Sequence, residues 1–199
     1  MIRQKRFHRA FHRALFLSGF VFLSSCGIRS IPQQLNETEA TWAEVQNQYQ
    51  RRADLVPNLV NVVKGYAKHE SETLERVIAA RAAATSIRLE AKDLSEANLR
   101  KFEAAQNELK GSLSRLMLVA EQYPNLKANE GFRDLQAQLE GTENRITISR
   151  QRYIESIKLF NNLVTVFPES ITNSIFFKHE KKPQFAVDAK LSEPPKVSF

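Results

Sequence analysis

Apolar residues recur at intervals of three and four along most of the sequence, and this spacing constrains the fold more than any other feature. A period of 3.6 residues places such positions on one face of an α-helix. The clearest case has a near-heptad spacing from Phe132 through Leu135, Leu139, Ile146, Tyr153, Ile157, Phe160 and Val164. No run shows the strict alternation that is typical of a half-buried strand. The sequence therefore predicts an all-α protein.

Two more apolar stripes lie in the first half of the chain. A first helix is predicted from about Pro32 to Asp54, with Leu35, Trp42, Val45, Tyr49 and Ala53 facing the core. A second helix is predicted from Pro57 to about Glu90. Its stripe consists of Leu55, Leu59, Val62, Val63, Tyr66, Leu74, Val77, Ile78 and Ala82.

The turn between these two helices is predicted at Asp54 to Val56. Proline lacks an N–H group and is tolerated in the first helical turn, whereas it disrupts a helix farther in. Pro57 is therefore expected to begin the second helix, with Asp54 as its N-cap. Gly65 lies within that helix, and Ser71 is a candidate cap for a restart after a kink.

A third helix is predicted to open at Asp93 and to end at Tyr123-Pro124-Asn125. Asp93-Leu-Ser-Glu96 has the spacing of a capping box. The stripe of this helix is Leu99, Phe102, Ala105, Leu109, Leu113, Leu116 and Ala120. A glycine inside the helix, Gly111, is expected to mark a close approach to a neighbouring helix.

Short connections between long helices favour antiparallel neighbours. Residues 32–167 are therefore predicted to form an up-down-up-down four-helix bundle, with the fourth helix starting near Asn129. Beyond Phe167-Pro168 the periodicity is lost. Residues 168–199 are predicted to be an extended C-terminal tail that packs on the bundle or is partly disordered.

The first 25 residues have the pattern of a secretory leader. Residues 1–13 carry five basic residues and no acid, and an apolar run follows over residues 14–25. This run is shorter than the roughly 20 residues that a spanning helix needs. The run ends in Leu23-Ser-Ser-Cys26, which resembles the lipobox of bacterial lipoproteins.

Cys26 is the only cysteine in the chain and is the predicted lipidation site. Residues 26–31 then form a lipidated tether to the cell envelope, since several acyl chains give stable anchoring. Gly27 stands where an aspartate would indicate inner-membrane retention, which favours the periplasmic face of the outer membrane. The alternatives are an ordinary leader and an uncleaved anchor.

Charge gives little support to a nucleic-acid partner. Five of the 29 basic residues and none of the 22 acidic residues lie in the leader, so the mature chain has a formal charge of about +2. The high pI of the whole chain thus reflects the leader, and the basic surface that nucleic acid requires is not indicated.

No arrangement of residues indicates catalysis. The mature chain contains two histidines, His69 and His179, and neither has further ligands at the spacing of a metal site. His69-Glu70 is interpreted as a solvated pair. The chain has no phosphate-binding glycine loop and no G-x-S-x-G motif. We expect no enzymatic activity, no metal, no cofactor and no small-molecule substrate.

The segment Arg51-Arg-Ala-Asp-Leu-Val-Pro-Asn-Leu-Val60, with Trp42-Ala-Glu-Val-Gln upstream and Phe167-Pro168 and Pro194-Pro-Lys-Val-Ser-Phe199 downstream, resembles the signature of the bacterial LemA family. The resemblance covers most of the mature chain. It implies a helical protein associated with a membrane, and it implies no settled biochemical activity.

Polar residues are dense around this signature. Arg51, Arg52, Asp54, Asn58, Lys64 and Tyr66 form a candidate docking patch for a protein partner, since arginine and tyrosine are favoured in binding hot spots. The structural alternative is that Asp54 caps a helix, Arg52 pairs with a carboxylate on a neighbouring helix, and the other side chains face water.

Two functions remain open. The first is a membrane-anchored interaction or scaffold lipoprotein of the cell envelope, with a protein partner that the sequence does not identify. The second is an accessory or regulatory subunit of a membrane enzyme such as an envelope protease. Pull-down after crosslinking in cells distinguishes them by what is recovered.

Overall fold

The computed structural model describes the backbone of residues 2–67 and 69–185 and the side chains of residues 28–67 and 69–185. In this part of the chain all regular structure is helical, as predicted. The α-helices are α1 Ile2–Tyr66, α2 Ser71–Ser86, α3 Glu96–Ala120, α4 Pro124–Ala128, α5 Glu130–Thr165 and α6 Glu169–Thr172. A 3₁₀ turn, Ala91–Asp93, precedes α3, and a π-helical turn, Asn173–Phe177, follows α6.

The chain forms two compact units that share α1 and α5. Among the described residues, one unit takes α1 up to Ala40 together with Glu155–Lys182. The other unit takes Thr41–Ile154 and the chain from Pro183 onward. In this second unit α1, α2, α3 and α5 all contribute to one buried core, whose members include Leu59, Val77, Leu109 and Leu139.

Pro57 lies inside α1, and the predicted turn at Asp54 to Val56 is wrong. Proline at this position leaves the carbonyl four residues earlier, that of Ala53, without its helical donor. Arg81 of α2 replaces the donor, since its Nε lies 2.8 Å from the Ala53 oxygen. Asp54 is therefore not an N-cap, and its side chain accepts a hydrogen bond from Gln50, one turn earlier.

Helix α1 ends at Tyr66 and helix α2 begins at Ser71, so the first break in the described helices lies between these two residues. A helix does restart here, but Ser71 is its first residue and the prediction that Ser71 is the cap is wrong. The N-cap position is Glu70, whose side chain makes no capping bond. The buried positions keep one spacing across the break, since Val63, Ala67, Leu74 and Val77 follow one another at intervals of four, seven and three residues. Leu59, Val63, Leu74 and Val77 are buried as predicted, whereas Tyr66, Ile78 and Ala82 are exposed; Val56, Val60, Ala67, Ala80 and Ala84 complete the buried face.

The N-cap of helix α3 is Ser95, two residues after the predicted cap Asp93. Asp93 lies in the 3₁₀ turn, and the Ser95 hydroxyl accepts from the backbone N–H of Asn98. The predicted stripe of α3 is buried except that Gln106 takes the place of Ala105. Pro124 begins the short helix α4, which supplies Leu126 to the core.

The near-heptad stripe of α5 is confirmed. Phe132, Leu139, Ile146, Tyr153, Ile157, Phe160 and Val164 are buried, and Leu135 is half-buried. Small polar residues, Thr142, Ser149 and Ser156, are also buried on α5. The hydroxyl of Thr142 donates to the carbonyl of Gln138, and that of Ser149 to Ile146, which satisfies these groups inside the helix.

Two predictions fall outside these observations. The leader and Cys26 precede the residues whose side chains are described, and the terminal Pro194–Phe199 motif lies beyond Phe185. Among the described residues, the helices include none with an apolar stretch long enough to cross a membrane.

Candidate functional site

A cleft of about 440 Å³ opens in the second unit between α1 and the segment that joins α2 to α3. Polar and apolar side chains share its walls. The residues that line it are Gln46, Asn47, Tyr49, Gln50, Ala53, Ala84, Thr85, Ile87, Arg88, Leu89, Glu90, Phe102 and Gln106.

The outer wall of this cleft is held in place at Leu89. Its carbonyl accepts two hydrogen bonds from α1, one from Trp42 Nε1 at 2.8 Å and one from Gln46 Nε2 at 2.5 Å. The Leu89 side chain is also buried. An extended segment with both its carbonyl and its side chain fixed forms a stable wall to the cleft.

Trp42 belongs to a buried aromatic cluster, as its position on the apolar stripe predicted. Its ring lies 5.5 Å from that of Phe102, 5.1 Å from Tyr153 and 6.1 Å from Phe185, measured between centres. Phe185 is only 5 % exposed. The chain after Pro183 thus contributes a side chain to the core of this unit.

Arg150 covers the edge of the aromatic cluster. Its guanidinium carbon lies 4.2 Å from the centre of the Phe185 ring. The same guanidinium donates to Glu103 at 2.9 Å and to the Tyr49 hydroxyl at 3.2 Å. One cation therefore ties α1, α3 and α5 to the C-terminal segment.

Arg52 is the polar centre of the unit. Its side chain is 2 % exposed, and its Nη1 lies 2.6 Å from Glu143 Oε1 on α5. Nη2 donates to the backbone and side-chain oxygens of Gln106 on α3, at 2.9 and 2.8 Å. Gln106 in turn donates to the carbonyl of Ala84 at the end of α2. The pairing of Arg52 with a neighbouring carboxylate, the structural alternative for this residue, is confirmed.

Four of the six residues of the candidate docking patch share one side of α1, and two do not. Arg51, Asp54, Asn58 and Lys64 are exposed on the outer side of α1. Arg52 points into the core, and Tyr66 lies at the end of α1, half exposed, with its hydroxyl accepting from Asn129.

Sequence reasoning missed the amides that share the exposed side of α1. Asn47, Gln50 and Asn61 are exposed at helical spacing with Asp54 and Asn58. This outer face, defined as Asn47, Gln50, Arg51, Asp54, Asn58, Asn61 and Lys64, borders the cleft through Asn47 and Gln50. Extending the 3.6-residue period of the buried stripe to the opposite side would have found it.

His69 and His179 lie in different surroundings. His69 is exposed, whereas the ring of His179 stacks on Phe177 at 5.8 Å with the planes 4° apart. Glu70 is more than a solvated partner of His69, since it accepts a hydrogen bond from the Tyr123 hydroxyl, whose pKa is raised by that bond. Within residues 28–67 and 69–185 no three histidine, aspartate or glutamate side chains converge as metal ligands.

The segment that carries these features has a recognisable family signature. A family model described as the LemA family matches residues 41–199. The chain belongs to the LemA family. The match begins at residue 41, where the second unit also begins, and it includes Arg52, Pro57 and Glu143. No curated protein matches the chain.

Proposed function

We propose that this LemA family protein is a membrane-anchored interaction or scaffold lipoprotein of the bacterial cell envelope, which acts through its surface. The observation that supports this function is the outer face of α1. Arginine, lysine, aspartate and four amides lie on one exposed side of a helix, where they offer both donors and acceptors to a partner. Direct hydrogen bonds of this kind are common in protein interfaces.

Hydrogen bonds inside the unit hold the outer face of α1 in place. Behind the outer face, Arg52 bonds to α3 and α5, and the Ala53 carbonyl bonds to Arg81 of α2. A helix fixed at successive positions holds its exposed side chains in one arrangement, which lowers the entropy cost of binding. We further propose that α1, α2, α3 and α5 follow one another in antiparallel order as a four-helix bundle, because the connections between them are short.

The anchor is proposed at Cys26, with residues 1–25 removed. Intact-mass analysis of the protein purified from bacterial membranes tests this. We expect an N-terminus at Cys26 with added diacylglyceryl and acyl groups, and we expect Cys26→Ser to leave the leader uncleaved and the chain without lipid. A mature chain that starts elsewhere, or that carries no lipid, would refute the anchor. Fractionation of the same cells tests the proposed outer-membrane location.

The partner is tested by photocrosslinking in cells. A benzophenone amino acid replaces Asn58 on the outer face, and a matched variant carries it at Gln138, which is exposed on α5 of the same unit. We expect adducts from position 58 that are absent from position 138. Adducts between copies of the chain support a scaffold. A single enzyme recovered in stoichiometric amount supports the alternative, an accessory subunit of a membrane enzyme such as a protease.

The proposal includes no catalytic residue, cofactor, nucleic acid or small-molecule substrate. Equal adduct patterns from positions 58 and 138 would mean that the outer face has no special role in binding.

A further inference from the structure

The chain after α5 reverses the usual distribution of side chains. Between residues 166 and 177 the buried residues are polar, Thr172 and Asn173. Apart from Ser174, the exposed residues are bulky and apolar: Val166 at 54 %, Phe167 at 70 %, Ile171 at 46 %, Ile175 at 61 % and Phe176 at 63 %. These five residues are called the apolar corner below. Exposed apolar clusters of this kind mark sites that meet another apolar phase.

The apolar corner is held rigidly by its polar side. The Asn173 side chain donates to the carbonyls of Val164 and His179 and accepts from the His179 N–H. Lys178 adopts a left-handed backbone conformation, φ 55°, which ends the π-helical turn. The exposure of the corner is thus a fixed property of the fold of this unit, because the inward-facing groups are already satisfied.

The apolar corner lies beside the start of the proposed mature chain. Ile31 of α1 is fully buried against Phe160 and Val164, and Phe177 packs on the same cluster. Cys26 precedes Ile31 by five residues, which is about 7.5 Å along a helix axis. An anchor at Cys26 would therefore hold Ile31, and the unit that buries it, next to the bilayer.

Charge around the corner fits an anionic surface. Lys178 and Lys181 are exposed just after it, and Arg29 is exposed on α1 of the same unit. Over residues 166–182 three lysines outnumber two glutamates. Lysine stems can cover apolar surface while their ammonium groups reach the phosphates of lipid headgroups.

We propose that the apolar corner inserts into the interfacial layer of an anionic bilayer and forms a second membrane contact next to the lipid anchor. The inference rests on the proposed envelope location, because it requires a membrane at this end of the unit. Interfacial binding increases with buried apolar area and with attraction to anionic lipids, and the corner with its lysines supplies both. Two contacts would fix the orientation of this unit on the membrane, whereas one contact would leave the unit free to turn about it.

The test uses the full chain with Cys26→Ser and one new cysteine, Ser174→Cys, labelled with the environment-sensitive dye NBD. Ser174 is exposed between Ile171 and Ile175, so the label reports on the corner without removing an apolar residue. The protein is reconstituted into vesicles of phosphatidylglycerol and phosphatidylethanolamine. We expect a blue shift and strong quenching by nitroxide-labelled lipid. The matched label at Lys158→Cys, exposed on α5 of the same unit, should remain in water.

Paired substitutions test whether the apolar residues of the corner cause the lipid quenching. Phe167→Ser with Phe176→Ser should abolish most of the lipid quenching at position 174. Leu118→Ser with Ile148→Ser, at apolar residues that are 66 % and 50 % exposed elsewhere, should leave it unchanged. Helical circular dichroism that is the same in all variants shows that each is folded. Replacing phosphatidylglycerol with phosphatidylcholine, or Lys178 and Lys181 with glutamine, should weaken the quenching.

Two results would overturn the proposal. One is a label at position 174 that stays in water on anionic vesicles. The other is a blue shift that increases with protein density and is not quenched by nitroxide lipid, which would mean that a second copy covers the corner. Because the tested chain has no Cys26, neither result bears on lipidation, which mass analysis decides separately.

Discussion

Arg81 Nε donates a hydrogen bond of 2.8 Å to the backbone oxygen of Ala53, the carbonyl that Pro57 leaves without a helical donor. The two residues are 28 positions apart. A side chain of α2 thus completes the backbone hydrogen bonding of α1. Prolines inside helices are tolerated where a neighbouring group satisfies the released carbonyl, and here that group is a guanidinium.

This relationship predicts a thermodynamic coupling between Arg81 and Pro57. Arg81→Leu should lower the free energy of unfolding by about 1–3 kcal/mol, because a partly buried carbonyl loses its donor. The loss should be much smaller in a Pro57→Ala background, where residue 57 supplies an N–H to Ala53. A double-mutant cycle in urea measures the difference.

Arg76→Leu is the matched control for that cycle. Arg76 lies on α2 and is exposed, and it pairs with Glu72 one turn away. Its replacement should change the free energy of unfolding by less than about 1 kcal/mol in either background. If Arg81→Leu costs the same with proline and with alanine at position 57, the contact does not compensate for the proline.

Helix periodicity and residue propensity predicted the features that depend on neighbouring residues. They did not predict that α1 continues through Pro57. The helical class, the stripes of α3 and α5 and the core position of Trp42 follow from a 3.6-residue period alone. The donor that Pro57 cannot supply to the Ala53 carbonyl comes from Arg81 on α2, and the sequence of residues 53–57 does not indicate it. Three predicted members of the second stripe, Tyr66, Ile78 and Ala82, lie off the face that Val63, Ala67, Leu74 and Val77 bury, and they are exposed.

For the candidate site, the sequence predicts which residues are exposed but not which residues on other helices they contact. The exposure of Asp54 and Asn58 follows from their positions opposite the buried stripe. Arg52 was recognised as a residue that could pair with a carboxylate, but its partners Gln106 and Glu143 belong to other helices. Which carboxylate meets a given arginine depends on the register between helices, and a single sequence does not specify that register.

Gly111 tests a sequence expectation that the structure does not support. The glycine was expected to allow a close approach between helices, yet a Cβ atom built there meets nothing within 4 Å. Gly111→Ala should therefore stabilise α3, raising the free energy of unfolding by about 0.5–1 kcal/mol through helix propensity. Thermal or urea unfolding measures the change.

Gly131, unlike Gly111, has a neighbouring atom close to where a Cβ atom would lie. A Cβ atom there would lie 3.3 Å from Asn129 Oδ1, the oxygen that accepts from the Phe132 N–H at the start of α5. Gly131→Ala should gain less than Gly111→Ala, because the capping side chain must shift. Destabilisation by Gly111→Ala would restore the interpretation that a neighbouring helix lies close.

The Arg52–Glu143 pair predicts that removing one charge is worse than removing both. Glu143→Leu leaves a cation that is 2 % exposed without its anion. The cost should be about 2–3 kcal/mol, less than the roughly 3–5 kcal/mol of a fully buried pair because Glu143 is 32 % exposed. Adding Arg52→Leu should recover part of this loss. Urea unfolding with unchanged m-values measures each step.

Lys110→Leu serves as the control for this pair. Lys110 Nζ lies 3.4 Å from the other oxygen of Glu143, and its side chain is 60 % exposed. Its loss should cost less than about 1 kcal/mol. If Glu143→Leu costs as little as Lys110→Leu, Arg52 is satisfied by Gln106 alone and the ion pair adds nothing to stability.

Tyr153 predicts how stability depends on alkaline pH. Its side chain is fully buried beside Trp42 and Phe185, and this burial raises its pKa above the ordinary value near 10. Above about pH 10 the unfolded chain releases this proton while the folded chain keeps it, so the contribution is complete below that pH and is lost as the pH rises. Each group of this kind lowers the free energy of unfolding by about 1.4 kcal/mol per pH unit there. Tyr153→Phe keeps the ring and should flatten the stability profile between pH 10 and pH 11. An unaltered slope in Tyr153→Phe would mean that other groups cause the alkaline loss.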